Sequence, residues 1–212
     1  MPKIACISDL HTHMQHVIVP PCDIVICAGD ISYSGHTKDI KKFLQWFSAI
    51  KAQHHVFIAG NHDLIFERDP ERAANILAKF PSVIYLENSG VIIDGLKLWG
   101  SPWTQKFHDW AFNADADKLQ AVWSQIPDDT DILITHSPQY GILDRAQWTN
   151  ELAGCKQLAT AIARVKPKVH IFGHIHEGYG MVERGGVVHV NASICTVRYE
   201  PINKPILIDI DN

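Results

Sequence analysis

Val169-His170-Ile171-Phe172-Gly173-His174-Ile175-His176-Glu177-Gly178-Tyr179-Gly180 is the stretch on which the fold turns. Val169 to Phe172 is apolar apart from His170 and reads as a buried strand. Two histidines follow at i, i+2, and in extended backbone side chains at that spacing lie on the same side. Gly173 before them, with Gly178 and Gly180 after them, lets the chain turn sharply where the strand ends. Two imidazoles aimed one way from a strand end begin a metal site. Whether they complete one depends on what the other strand ends bring.

Outward from this stretch the same arrangement recurs. Ile4 to Ile7 is an apolar run that ends in Ser8-Asp9-Leu10-His11. Asp23 to Ala28 ends in Gly29-Asp30, and Val56 to Ala59 ends in Gly60-Asn61-His62-Asp63. Asp131 to Thr135 ends in His136. Between these runs lie amphipathic segments. The first, 38–51, puts Ile40, Phe43, Leu44, Phe47 and Ile50 on one stripe. Continuous apolar strands alternating with helices mark a sheet covered on both faces, hence the α/β class. Ligands of open α/β sheets bind at the carboxyl ends of the strands. Further helices are expected over 71–79, 117–125 and 152–165. Three short strands between 83 and 99, the last two joined by Asp94-Gly95, predict an antiparallel portion beside the βαβ part. Residues 101–113 read as an irregular aromatic loop. A second hairpin is expected around Gly185-Gly186, and a final strand over 206–210.

Composition limits the function classes. A chain of 212 residues can form a single domain over 1–212, burying roughly 70% of its unfolded surface. Hydrophobic content of 46% and charged content of 20% are those of a soluble globular protein. A net charge of −4 argues against avid nucleic-acid binding. No apolar run approaches the roughly 20 residues of a membrane span, and the N-terminus lacks a signal pattern, so a cytoplasmic protein without membrane attachment is expected. The five cysteines form no CxxC pair and read as reduced thiols.

The strand-end residues Asp9, His11, Asp30, Asn61, His136, His174 and His176 are a mixed nitrogen and oxygen set without sulfur. They are too many for one tetrahedral zinc and suit two metal ions, with Asp30 the natural bridging carboxylate. Imidazole with carboxylate favours Zn, Mn, Fe or Ni over Ca. Two divalent ions with two aspartates leave a surplus of about +2, enough to hold a bridging hydroxide and an anionic phosphate. His62, next to a proposed ligand, is the candidate proton donor to a leaving oxygen. Asp63 is the candidate to orient it. Among the aromatics Trp103, Phe107, Trp110 and Phe112, the bland expectation is core packing or a surface for a second copy of the chain. A substrate-stacking role at the pocket mouth is assigned to Trp103, beside Asn61 and His62. His13 is a further candidate for the pocket, whereas His54, His55, His170 and His189 are expected to be structural or exposed.

Taken in order, Asp9-x-His11, Gly29-Asp30, Gly60-Asn61-His62-Asp63, His136 and Gly173-His174-x-His176 resemble the five-block signature of the calcineurin-like metallophosphoesterases. Ser101-Pro102-Trp103, Ala111-Phe112-Asn113, Thr135-His136-Ser137-Pro138, Glu177-Gly178-Tyr179-Gly180 and Asn191-Ala192-Ser193 resemble its metallophosphoesterase-domain-containing branch. That branch is similar to the class III cyclic nucleotide phosphodiesterases. The resemblance implies a four-layer α/β/β/α sandwich of mixed sheets. It implies one metal on Asp9, His11, Asp30 and His176, and another on Asp30, Asn61, His136 and His174. It implies hydrolysis without a phosphoenzyme. Some relatives carry glycine in place of His174 and are weakened, so retention of this histidine implies an active enzyme. The leading expectation is a binuclear metal-dependent phosphodiesterase in which a metal-bridging hydroxide attacks small phosphodiesters, 2′,3′- or 3′,5′-cyclic nucleotides among them. The alternatives are a phosphomonoesterase or protein phosphatase, and a nucleotide-binding module of low turnover.

Overall fold

The computed structural model describes residues 1–147 and 149–210. Its first sheet contains β1 (Lys3–Ile7), β2 (Ile24–Cys27), β3 (His54–Phe57) and β4 (Val83–Tyr85) as parallel neighbours. The second contains β5 (Ser89–Ile93), β6 (Leu96–Ser101), β9 (Ile132–Thr135), β10 (Val169–Phe172), β11 (Gly180–Arg184) and β12 (Val187–Asn191) in the order β11-β12-β10-β9-β6-β5. Its inner four strands are parallel and its two edges antiparallel. β7 (Thr104–Gln105) and β8 (Asn113–Ala114) form a small parallel pair within the expected aromatic loop. β13 (Ile206–Asp209) returns antiparallel to β1.

Alternation along the strands explains the layers. Ile4, Cys6, Ile24 and Ile26 meet Ile132, Ile134, Val169 and Ile171 in one core between the sheets. The intervening Ala5, Ile7, Val25 and Cys27 face outward and pack with helices. Those are α1 (Thr37–Phe47), α2 (Leu64–Arg68) and α3 (Pro70–Leu77) on the first sheet, and α4 (Ala116–Trp123) and α5 (Lys156–Val165) on the second. Strands buried on both faces read as near-continuous apolar runs, and the mixed-sheet α/β/β/α arrangement follows.

Several element boundaries differ from the sequence expectation for local reasons. α1 stops at Phe47, with Ser48 as its cap, because the N–H groups of Ala49 and Ile50 beyond it bond three residues back, which tightens the last turn. α5 begins at Lys156, not at Leu152, because 152–155 pairs elsewhere. Leu152 bridges to Arg145, Cys155 bridges to Gln139, and the Gly154 N–H donates to Asp144. The Cys155 sulfur then caps the helix by accepting from Leu158 N–H. β4 joins the first sheet in parallel, so the antiparallel portion is confined to β5 and β6. Asp94 and Gly95 both have positive φ, as that two-residue turn requires. The short α2 carries no periodicity that a sequence could display.

The carboxyl ends of β1, β2, β3, β9 and β10 converge. The two sheets are joined there by a bridge between Ser8 and Ser193, with Ile194 N–H donating to the Ser8 carbonyl. Among the described residues no helix is long and apolar enough to cross a membrane.

Candidate metal centre and active site

Each ligand candidate follows the last residue of a strand, but extended backbone does not place them. Asp9, His11, Asp30 and His174 lie in the left-handed region, with φ of 52°, 40°, 52° and 68°, and His176 opens a short 3-10 turn. The same-side geometry expected from i, i+2 spacing is therefore replaced by tight left-handed corners. Such conformations are strained for histidine and persist where surrounding contacts fix them. At Asp9 the fixing contacts are the Ser193 hydroxyl, which donates to Oδ2 at 2.8 Å, and the His174 N–H, 3.0–3.1 Å from both oxygens. At Asp30 the His62 N–H donates to Oδ1 at 2.8 Å. Glycine is needed beside each carboxylate, since a Cβ at Gly173 would collide with Asp9 and one at Gly60 with Asp30.

The donor atoms face one another in two groups. His176 Nε2 lies 3.3 Å from Asp9 Oδ1 and 3.3 Å from His11 Nε2. His136 Nε2 lies 3.3 Å from Asp30 Oδ2 and 2.9 Å from Asn61 Oδ1. Asp30 Oδ2 is also 3.8 Å from His11 Nε2, so this one oxygen sits between the groups. Asp9, His11 and His176 are close enough to share an ion, as are Asp9, Asp30 and His136. The His174 ring lies half-buried beside them, 5.1 Å from the ring of His136.

The ring tautomers test whether a metal suits the site. His136 Nδ1 lies 2.8 Å from the Ala28 carbonyl and His176 Nδ1 2.8 Å from the Thr196 carbonyl. A carbonyl can only accept, so each Nδ1 carries the proton and, in the neutral ring, each Nε2 presents a lone pair. Those lone pairs point at carboxylate, amide and imidazole acceptors. Such a set is stable only around a cation, and its donors suit transition-metal ions.

Without metal, protons take that place. Burial pulls His136 and His176 down, but Asp30 and Asp9 outweigh it and raise both to about 9. Asp30 and Asp9 are correspondingly held below the usual carboxylate range, against burial, by His136 and His176 respectively. His11 and His174 go the other way. Burial, with neighbouring imidazoles, lowers each to about 4, leaving neutral rings with free lone pairs.

Two expected roles are corrected by the geometry. Asp63 does not touch the His62 ring. It is fully buried and accepts from Ser32 N–H and hydroxyl at 3.0 and 2.7 Å, Gly60 N–H at 2.9 Å and Ile31 N–H at 3.2 Å. It therefore ties the loop after β3 to the loop after β2. His62 is oriented instead by the Tyr33 carbonyl, 2.8 Å from its Nδ1, and by Trp110, whose ring centroid lies 4.0 Å away. Trp103 is likewise not at the pocket. It is buried against Phe112, with the Lys118 ammonium 3.5 Å over its ring.

Asn61 and His62 do line the cleft, which has a volume of about 710 Å³ and also takes in Asp30, His174, His176, Phe107 and Trp110. The aromatic loop thus divides, with Trp103 and Phe112 in the core and Phe107 and Trp110 at the cleft. Tyr199 lines it too, and no motif in the sequence singled it out. His13 contacts Tyr33 at 3.3 Å rather than lining the cleft. His170 and His189 are buried together, Nδ1 to Nδ1 at 3.4 Å.

Replacing Asp63 by Asn turns an all-acceptor group into one with two donors among four donors. The expected loss is about 3 kcal/mol, a fall in Tm of roughly 6–12 °C for a chain of this size. Calorimetry of the variant checks it; a Tm within 2 °C of the parent would refute the tying role.

An α/β/β/α sandwich with carboxylates, imidazoles and an amide gathered at its strand ends defines a metal-dependent phosphoester hydrolase. The family model of the calcineurin-like phosphoesterases matches residues 2–178, and the chain belongs to that family. It is 36% identical to human metallophosphoesterase domain-containing protein 1, over 98% of this chain and 71% of the relative. It is 33% identical to the UPF0046 protein K07C11.7 of Caenorhabditis elegans, over 97% of this chain and 74% of the relative. The phosphopantetheinyl hydrolase of Mycobacterium tuberculosis shares the fold, with a TM-score of 0.64, 17% identity, and coverage of 96% of this chain and 95% of that one.

Proposed function

We propose that the chain is a binuclear phosphodiesterase acting on small phosphodiesters, cyclic nucleotides among them. The observation that carries this reading is Asp30 Oδ2, set between His11 and His136 so that one carboxylate can serve both donor groups. Asp9, His11, His176 and Asp30 would hold one ion, and Asp30, Asn61, His136 and His174 the other. When bound, the ions would polarise the phosphoryl oxygens and acidify a water for attack near neutral pH. The protein's own part is orientation. The carbonyls of Ala28 and Thr196 fix His136 and His176, and the Asp30–His62 backbone bond keeps the His62 ring beside the bridging carboxylate.

His62 Nε2, 4.0 Å from Asp30 Oδ2, is the atom that would pass a proton to the leaving oxygen. His62→Ala is expected to lower kcat about a hundredfold or more for alkyl diesters, whose leaving groups need a proton. For nitrophenyl diesters the expected fall is under about tenfold, because that leaving group departs as an anion. Equal losses on both would remove the proton-donor role. A cytoplasmic setting fits the five unpaired cysteines. Steady-state rates on matched mono- and diesters, after Mn loading, test the whole reading. A monoester preference greater than tenfold would replace it with a phosphomonoesterase.

A further inference from the structure

Residues 196–200 lie beyond the segment matched by the family model, yet they reach the centre of the site. The loop is closed on itself, with Tyr199 N–H donating to the Thr196 carbonyl at 2.8 Å and Thr196 N–H donating to the Glu200 carbonyl at 2.9 Å. The Thr196 carbonyl also takes the Nδ1 proton of His176. One backbone oxygen therefore sets both the orientation of a ligand histidine and the turn that presents Tyr199.

Tyr199 has φ of 59°, a conformation that bulky L-residues rarely adopt. Its ring meets His11 edge-on at 4.7 Å, His176 at 5.6 Å and His62 at 6.5 Å between centroids. Tyr33 lies 5.5 Å behind it. Tyr199 nevertheless remains 38% exposed and lines the cleft. A strained aromatic held over three site histidines, with surface left open to the cleft, is placed for a ligand as well as for packing.

We propose that Tyr199 is the specificity-determining residue of the cleft, and that its ring packs on the organic arm of a phosphate ester whose arm is planar and aromatic. The proposal rests on the phosphoester-hydrolase reading only for the position of the phosphate. The phosphate would go to the metal ligands, and the arm would extend along Tyr199 toward Phe107, the other well-exposed aromatic of the cleft. The ring, not the hydroxyl, carries the effect, so phenylalanine substitutes for it and alanine does not.

The experiment compares inorganic phosphate with phenylphosphonate, a non-hydrolysable aryl analogue, by titration calorimetry on Mn-loaded parent, Tyr199→Phe and Tyr199→Ala. The expected result is that the parent and Tyr199→Phe prefer phenylphosphonate at least tenfold. Tyr199→Ala should bring the two ligands within about threefold, with phosphate affinity unchanged. Metal content measured by mass spectrometry is expected to be the same in all three. An unchanged preference in Tyr199→Ala overturns the proposal, as does an equal loss of both ligands or a loss of bound Mn, which would assign the ring to metal-site packing. No preference for phenylphosphonate in the parent overturns it as well. Binding does not require turnover, so absence of diester hydrolysis would sink the functional reading while leaving this result interpretable. If hydrolysis is present, Tyr199→Ala is expected to raise KM for aryl diesters about tenfold while kcat stays within threefold.

Discussion

Asp30→Asn is expected to lower kcat/KM by at least about a thousandfold, a loss of about 4 kcal/mol of transition-state stabilisation. Bound metal should fall from two ions per chain toward one or fewer. Asparagine is the informative replacement. Asp30 has φ of 52°, a region that asparagine tolerates and alanine does not, so Asp30→Ala would confuse backbone strain with loss of the bridge. The side chain is also at the middle of the network. Its Oδ2 is 3.3 Å from His136 Nε2 and 3.8 Å from His11 Nε2, and its Oδ1 accepts from His62 N–H at 2.8 Å. An amide oxygen can replace one of these functions but cannot carry charge to two ions. With the carboxylate gone, the metal-free His136 should also titrate well below about 9, because Asp30 is the largest influence holding it up. Metal analysis, turnover and NMR titration of the His136 ring check the three consequences together. Two tightly held ions and kcat/KM within tenfold of the parent would show that Asp30 is not the bridge.

Much of this centre was legible because largely apolar strands buried on both faces concentrate ligand-type polar residues at their carboxyl ends. Asp9, His11, Asp30, Asn61, His136, His174 and His176 could be collected by that logic alone. What periodicity could not supply was the backbone between them. Side chains at i, i+2 in a strand share a side, but Asp9, His11 and His174 reach the site through positive-φ corners that only tertiary contacts maintain. Asp63 was misread for a similar reason. Adjacency to His62 suggested a pair, whereas its hydrogen bonds run to residues 31, 32 and 60. Trp103 and Trp110 look alike in sequence. They separate in space because the Ala111 N–H donates to the Asn61 carbonyl and Arg68 holds the Asp109 carbonyl, which presents Trp110 to His62. Tyr199 had no neighbouring motif, and its role depends on a loop whose closure is made by backbone bonds.

The same protons that fill the metal-free site should give it a pH dependence that the loaded protein lacks. His136 and His176 rise from an ordinary 6.5 to about 9 on folding. Their contribution is fully present below pH 6.5 and is lost as pH rises through 9. Together they amount to several kcal/mol at most, on the order of 10 °C in Tm. His11 and His174 fall to about 4, so their contribution is lost as pH drops from 6.5 through 4. Asp9 and Asp30, both lowered, add to that acid-side loss at still lower pH. Metal-free protein is therefore expected to be most stable near pH 6.5 and to lose Tm steadily toward pH 9. Metal binding needs the same Nε2 atoms deprotonated and releases their protons, so affinity should climb across that interval. Because a ligand stabilises the folded state in proportion to the logarithm of its concentration over Kd, the Tm gap between Mn-loaded and chelator-treated protein should widen from pH 6.5 to 9. Scanning calorimetry of both forms at half-unit steps measures it directly. Parallel curves would mean that the two imidazoles hold no proton that a metal displaces, and the ligand roles of His136 and His176 would then have to be withdrawn.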